Sequence, residues 1–434
     1  MASIHPPKPS SGGISGSTII IVIVAGVLLI LGGVLIGTLT PQLFPPPASA
    51  EAKPVDDLFH ISLVIGGAIF LLVQGMLVFS IIRFRAKPGD TSDGAYIHGS
   101  TTLEIVWTAI PAVIVVVLTI LSWQVFDTIF TPKPDEAKVF AAGARFNWAF
   151  TYDVPLSIMP EQVDLTKLPE DVRADVEADG LLSVTSPILY TYVGQPVVME
   201  MEPKDVIHAF WIPAFRLKQD LIPGRTTSIR FTPTIAGTYP IECAELCGAN
   251  HGLMRSEVVV LDNEQGFNQM MVPMMDEKIH PPADPVLRGR KILSSNVYPC
   301  YTCHVLSDLT EAPQPWAGNV GPALNGIADR VASSRASATG QTPAEYLYTA
   351  VHEPSAYLVP GYGALMPQLN IPECDAWAIV AYLATQSESG SAPFEVTQPA
   401  QCVITDTGAA APSSEATVEA APTGEATVEP TPAS

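Results

Sequence analysis

The sequence predicts a membrane-anchored chain of several domains: a transmembrane α-helical hairpin preceded by a further apolar segment, an all-β sandwich, an all-α domain and a disordered tail. Three observations predict it. Every long apolar run falls before residue 130. Short β-branched and aromatic stretches punctuated by Gly and Pro fill the middle of the chain. Two cysteine–histidine constellations of different spacing lie beyond residue 240. Composition agrees with this division. Of 434 residues, 47% are hydrophobic and 15% are charged, against about 25% charged in ordinary soluble domains. Mean hydropathy is +0.28 and the net charge is −21. Phosphate binding needs a basic surface, so this balance excludes nucleic acid as a partner.

The apolar runs are Thr18 to Leu39, Leu58 to Ile82 and Ile105 to Phe126. Each has the roughly 20 residues that cross a bilayer as a helix. Residues 1–50 are either a signal peptide, cut near the small-residue site Ala48-Ser49-Ala50, or an additional transmembrane helix. Residues 51–130 form the hairpin. Arg83, Arg85 and Lys87 follow its first helix and place the intervening loop in the cytoplasm. A multi-pass protein of the cell (plasma) membrane results, and everything after Asp127 is extracytoplasmic. That oxidising side permits disulfides and covalent haem attachment.

Residues 137–265 read as the β domain. Strand-like stretches such as Tyr190 to Met201 and Thr226 to Phe231 are separated by turns at Gly194-Gln195-Pro196 and Ile222-Pro223-Gly224. A charged, Pro-bounded, helical insertion covers 156–183. Residues 266–285, rich in Met and Pro, read as a linker. Helical stretches near Val286–Ser294, Pro343–Val351 and Glu373–Gln386 define an all-α domain over 286–386. Residues 387–434 carry seven acids and no Lys or Arg, and their Ala, Pro, Thr and Glu content predicts disorder.

The first constellation runs from Cys243 through Cys247 and His251 to Met254. Soft thiolates, an imidazole and a thioether within twelve residues suit copper or another soft metal. Two thiolates on one loop can bridge two ions, each of which then needs a terminal histidine. Between residues 99 and 279 the histidines are His208 and His251, so the fold must bring His208 to the loop.

Over about 57–270 the chain resembles subunit II of cytochrome c oxidase, with its CuA domain. The residues that carry the likeness are the helical hairpin, Asp205-Val-Ile-His208, Ile222-Pro-Gly-Arg225 and the Cys243–Met254 loop. The resemblance implies a cupredoxin-like sandwich in which Cys243 and Cys247 bridge a dinuclear copper centre. His208 and His251 would be terminal ligands, and Met254 and the Glu245 carbonyl axial ones. The Glu245 side chain would reach a magnesium ion at the border with subunit I. Glu104, in Leu103-Glu-Ile-Val-Trp, would lie at the mouth of a proton channel in subunit I. One feature departs from the family, which carries a Trp-led aromatic run where cytochrome c electrons arrive. Here Phe146 stands at that place, with Trp148 two residues on; both are electron-transfer candidates or plain sandwich core.

The second constellation, Cys300-Tyr-Thr-Cys303-His304, is the attachment signature of c-type haem. Its two thiols would form thioethers and His304 would be the proximal ligand. Gly321-Pro322-Ala-Leu-Asn-Gly326 is like the loop whose Pro carbonyl orients that histidine. Met366, in Gly-Ala-Leu-Met-Pro, is favoured over His352 as the distal ligand, and His/Met ligation raises the potential. This part resembles a small class I cytochrome c domain. Cys374 and Cys402 belong to neither motif and either pair or remain free.

Together these readings resemble a fused subunit II of a haem–copper oxidase. An external donor protein, a cytochrome or a cupredoxin, would reduce covalent haem c. Haem c would reduce CuA, and CuA the haem–copper centre of subunit I, where O2 is reduced to water and protons are pumped. Further oxidase subunits are expected partners. A CuA-bearing nitric-oxide reductase subunit and a stand-alone tethered carrier are the alternative readings.

Overall fold

The computed structural model describes residues 16–85, 89, 99–168, 170–369, 371–390 and 392–404. Three long helices come first: α1 (Gly16–Leu39), α2 (Ala52–Arg83) and α3 (Thr101–Phe130). All three are long and apolar enough to cross a membrane. Their Ile, Val, Leu and Phe side chains are largely exposed, which suits a hydrocarbon solvent that asks only for internally satisfied backbone. The segment left open as signal or helix is thus helical. It packs on α2 through small residues. A Cβ on Gly33 would come within 2.4 Å of the Val64 carbonyl, and one on Gly67 within 3.1 Å of Ile36. Such close approach of backbones drives helix pairing in lipid. Of the basic residues on which the expected topology rests, Lys87 lies outside the described residues.

The turn between α1 and α2 is built into the β unit. Ala48 N–H donates to the Ala214 carbonyl, Ala50 N–H to that of Thr232, and Thr234 N–H to that of Ala48. Ala48 and Ser49 are buried. Glu51, 1% exposed, accepts from Lys133 Nζ and from Thr232 N–H. The end of α1, the start of α2 and the end of α3 therefore lie on the side of the membrane helices that holds the β unit.

That unit contains β1 (Ala137–Ala144), β2 (Asn147–Pro155), β3 (Leu181–Ser186), β4 (Leu189–Tyr192), β5 (Val197–Pro203), β6 (His208–Ile212), β7 (Leu217–Leu221), β8 (Thr227–Phe231), β9 (Gly237–Cys243) and β10 (Arg255–Leu261). They form two five-stranded sheets, ordered β3-β2-β1-β5-β8 and β4-β10-β9-β6-β7. The pairs β1–β5 and β4–β10 are parallel. Burial alternates along β3, the period-two pattern of a strand with one face on a core. Trp148, Phe150, Phe210, Phe215 and Phe231 fill the space between the sheets. The charged insertion carries α4 (Glu170–Asp179), whose Val172 and Val176 join that core.

Two boundaries differ from expectation. The expected linker at 266–285 is mostly helix α5 (Glu264–Ile279), capped by the Asn263 side chain. Met271, Met275 and Ile279 recur every four residues and bury their side chains on the sandwich, so this stretch is a strut. The expected tail is anchored in its first part. Cys374 and Cys402 form a disulfide, and Phe394 and Val396 pack on the helical core. Residues 405–434 lie outside the described residues.

The helical unit begins with α6 (Pro285–Ser294), where Asp284 caps two N–H groups and proline takes the first position. It continues through α7 (Cys300–Cys303), α8 (Ile327–Arg330), α9 (Ala336–Thr339), α10 (Pro343–His352) and α11 (Glu373–Ala384). A full capping box of Thr342 and Glu345 starts α10. Helices α6 and α11 cross at Gly289, where a Cβ would sit 2.0 Å from the Ala378 carbonyl oxygen.

Candidate metal centre and the adjoining cysteine–histidine cavity

The loop between β9 and β10 carries Cys247, His251 and Met254, with Cys243 at the end of β9. Strand β6 pairs with β9, Phe210 opposite Cys243, and this register delivers His208 from 35 residues upstream. Cys243 Sγ is 3.9 Å from Cys247 Sγ and 3.9 Å from His208 Nδ1. Cys247 Sγ is 3.5 Å from His251 Nδ1 and 3.8 Å from Met254 Sδ. The Glu245 carbonyl lies 3.3 Å from Cys243 Sγ. His208, Cys243 and Cys247 each offer a ligand atom within 4.8 Å of the others. All six sequence candidates for the copper centre therefore meet. A disulfide needs sulfurs about 2.05 Å apart, so the two cysteines face each other as separate thiols. Such a soft, buried donor set fits copper.

The surroundings prepare these donors. Asp205 Oδ1 lies 2.8 Å from His208 Nε2, so the carboxylate takes the outer nitrogen and leaves the inner one facing the sulfurs. Burial pushes the Asp205 carboxyl up, but hydrogen bonds from His208, the Arg145 N–H and guanidinium, and the Val206 N–H hold it down at about 2. The hydrogen bond between the two thiols pulls Cys243 down and pushes Cys247 up. Gly248 has φ of +138°, and a Cβ there would lie 3.1 Å from the Phe146 ring. Phe146 thus lies against the loop. Trp148 is fully buried, its ring centroid 6.1 Å from that of His208. Both are core residues. The Glu245 side chain, Leu246 and Leu253 are exposed at the loop surface. Glu104 is exposed in the first turn of α3, far along the chain from the loop.

The second constellation lines a cavity in the helical unit. Cys300, Cys303, His304, Pro322 and Met366 all border it, with apolar walls from Leu293, Ile379 and Leu383. Its volume is about 1050 Å³ with the solvent opening included. His304 Nδ1 donates to the Pro322 carbonyl at 2.7 Å, which fixes the ring and frees Nε2 for the cavity. A Cβ on Gly321 would meet that ring at 2.5 Å. Burial pushes the Cys300 thiol up to about 12 and lowers His304, against the Pro322 bond. His352 packs at a tilt against Tyr348 with centroids 4.5 Å apart, and it is not among the residues that border the cavity. Two thiols, an oriented imidazole and a thioether around one apolar cavity fit a covalently attached haem.

The two sites adjoin. Asn250 Nδ2 donates to the Thr302 carbonyl at 2.8 Å, and Cys303 packs against the β-unit core. Sequence reading did not single out Asn250, Asn147, Arg145 or Thr302 as functional. Asp205 was visible three residues before His208, but only as part of a motif.

Comparison with known proteins gives a consistent result. The family model for the transmembrane domain of cytochrome c oxidase subunit II matches residues 37–125, and the model for its periplasmic domain matches 137–261. Cytochrome c oxidase subunit 2 of Synechocystis sp. is 39% identical over 234 residues, 49% of this chain and 70% of that one. The same subunit of Thermostichus vulcanus is 38% identical over 244 residues, 50% of this chain and 74% of that one. Among solved structures, the periplasmic domain of subunit II of cytochrome oxidase of Bradyrhizobium japonicum is 25% identical. It covers 34% of this chain and 99% of that one, with a TM-score of 0.25.

Proposed function

The chain belongs to the cytochrome c oxidase subunit II family, and from that premise we propose that it relays electrons from an external donor, through a covalent haem c of its own, to a dinuclear CuA centre and on to subunit I. The observation that carries this reading is that the loop of a copper-type donor cluster, through Asn250 beside His251, bonds to Thr302 beside Cys303, in a unit whose cavity is bordered by Cys300, Cys303, His304 and Met366.

Cys243, Cys247, His208, His251, Met254 and the Glu245 carbonyl would together hold two copper ions. When bound, such a centre takes up and passes on one electron at a time. A covalently held haem would supply the preceding one-electron step. The chain's own residues do the positioning. Asp205 holds the His208 ring in one tautomer. The tight register of β6 on β9 keeps the cluster rigid, which limits rearrangement when its charge changes. Pro322 holds the His304 ring upright, and the apolar walls of the cavity favour a low-charge iron site. None of the transmembrane helices carries a histidine cluster; His60 is the histidine within them. Oxygen reduction therefore belongs to subunit I. The exposed faces of α2 and α3, and the exposed Glu245, Leu246 and Leu253, are the surfaces it would cover. The carboxylates of Glu245 and Glu104 would face that partner, one towards a magnesium ion and the other towards a proton channel. The cell membrane, with the β and helical units on its outer side, is the proposed location.

Metal analysis and an optical spectrum of the complex purified in mild detergent test this reading. Two copper ions and one covalently attached haem per chain, co-purifying with the haems of subunit I, are expected. A chain without covalent haem, or one that purifies alone, would overturn it.

A further inference from the structure

We infer that the helical unit is seated permanently on the copper loop, and that Asn250 is the residue through which the two sites are wired. This deepens the relay reading and rests on it for the electron step, while the seating itself rests on contacts alone. Three features of the interface carry it.

First, the connection is stiff. Helix α5 is fastened to the sandwich by Met271, Met275 and Ile279, and only residues 280–284 separate it from α6. A flexible tether would gain its advantage from effective concentration; this arrangement has the partner already in place. Second, the interface is latched by buried polar groups. Tyr301 Oη donates to Asn147 Oδ1 at 2.9 Å. Asn147 Nδ2 points to the carbonyls of Asn296 and Val297, at 3.4 and 3.3 Å. Asn147, Asn296, Tyr301 and Thr302 are all buried. Buried amides and hydroxyls demand specific partners, so these bonds fix one orientation where an apolar contact would allow sliding. Third, the polar contact nearest the cofactor sites joins them directly. Asn250 Nδ2 donates to the Thr302 carbonyl at 2.8 Å. Asn250 is the chain neighbour of His251, and Thr302 the neighbour of Cys303. From a thioether at Cys303 to an imidazole at His251 the path is covalent apart from one short hydrogen bond. Tunnelling favours bonded paths over gaps. One electron would leave the ferrous haem, which becomes ferric, and arrive at the mixed-valence copper pair, which becomes fully cuprous; no proton is required.

A consequence concerns specificity. Phe146, at the place where the family takes electrons from a soluble cytochrome, is buried beside Gly248. The neighbouring loop surface at Asn250 is covered by the chain's own helical unit. A donor approaching that part of the loop would then meet the helical unit first.

The test uses the full chain in its complex, with amide hydrogen exchange read over residues 143–150, 248–254 and 296–303. Seating predicts that all three are protected. The double variant Asn147→Ala, Tyr301→Phe should exchange about tenfold faster in 143–150 and 296–303, as expected for losing buried hydrogen bonds, with β5 unchanged. An unprotected 296–303 in the parent, or protection that the double variant leaves intact, would overturn the seating. Wiring is read separately in Asn250→Ala. Haem-to-copper transfer should slow several-fold while the copper and haem spectra stay as in the parent, and an unchanged rate would overturn it. If the parent chain held no haem, the relay reading would fall, yet the exchange result would still decide the seating.

Discussion

Replacing Gly289 by alanine tests the packing that shapes the haem cavity. A Cβ at this position would lie 2.0 Å from the Ala378 carbonyl oxygen, 2.6 Å from its carbon and 2.9 Å from Tyr382 Cβ. Carbon contacts settle at about 3.5–4.0 Å, so α6 and α11 must part by about 1 Å or more. Backbone atoms cannot rotate aside, which puts the cost at the upper end of the range for an extra buried methylene, about 3 kcal/mol. For a unit of about 100 residues each kcal/mol shifts the melting temperature by about 4–8 °C, giving a fall of roughly 12–24 °C. Leu293, Ile379 and Leu383 of the same two helices border the cavity, so haem retention should suffer as well. Scanning calorimetry of the purified complex, with exchange over 285–294 and 373–384 to identify the transition, measures this. Gly266→Ala in α5 is the control, since its Cβ meets only atoms at 3.6 and 3.8 Å. A helical-unit transition within about 2 °C of the parent would refute the reasoning, because effects of about 0.5 kcal/mol are typical of uncrowded sites.

Three other outcomes are expected. Met366→Ala should lower the haem midpoint potential with the haem still covalently attached, whereas His352→Ala should leave it unchanged; redox titration by visible absorbance separates them. Glu51→Ala removes the buried acceptor of Lys133 Nζ and Thr232 N–H and should cost about 1–3 kcal/mol of β-unit stability, read by chemical denaturation in detergent. Burial raises the phenols of Tyr152 and Tyr382, and Tyr382 also donates to Asp308. A raised phenol favours the protonated folded form, so this stability is fully present below the unfolded value of about 10 and lost as pH rises beyond it. Tyrosinate absorbance from both residues should therefore grow only together with alkaline unfolding.

Features written in local spacing were legible from the sequence. Apolar runs of membrane length became α1, α2 and α3, and the Cys243–Met254 loop held all its own donors, needing only His208 from a strand that the sequence already marked. Features made by distant pairing were hidden. Helix α5 read as a linker because its Met and Pro content suits a tether with apolar contacts, while Met271, Met275 and Ile279 in fact form one apolar stripe on the sandwich. The Ala48–Glu51 strap pairs with Lys133, 82 positions away, and otherwise with residues more than 160 positions away, and nothing near Ala48 signals it. Asn147 and Tyr301, 154 residues apart, look like ordinary polar residues until the two units are brought together.

The relay is tested most directly by following single-turnover reduction in Cys247→Ser, which removes one bridging sulfur and leaves the helical unit intact. The external donor should still reduce haem c at the parent rate, the copper near-infrared band should be absent, and O2 uptake should fall to background with the electron held on the haem. O2 uptake at the parent rate without the copper band would contradict the relay.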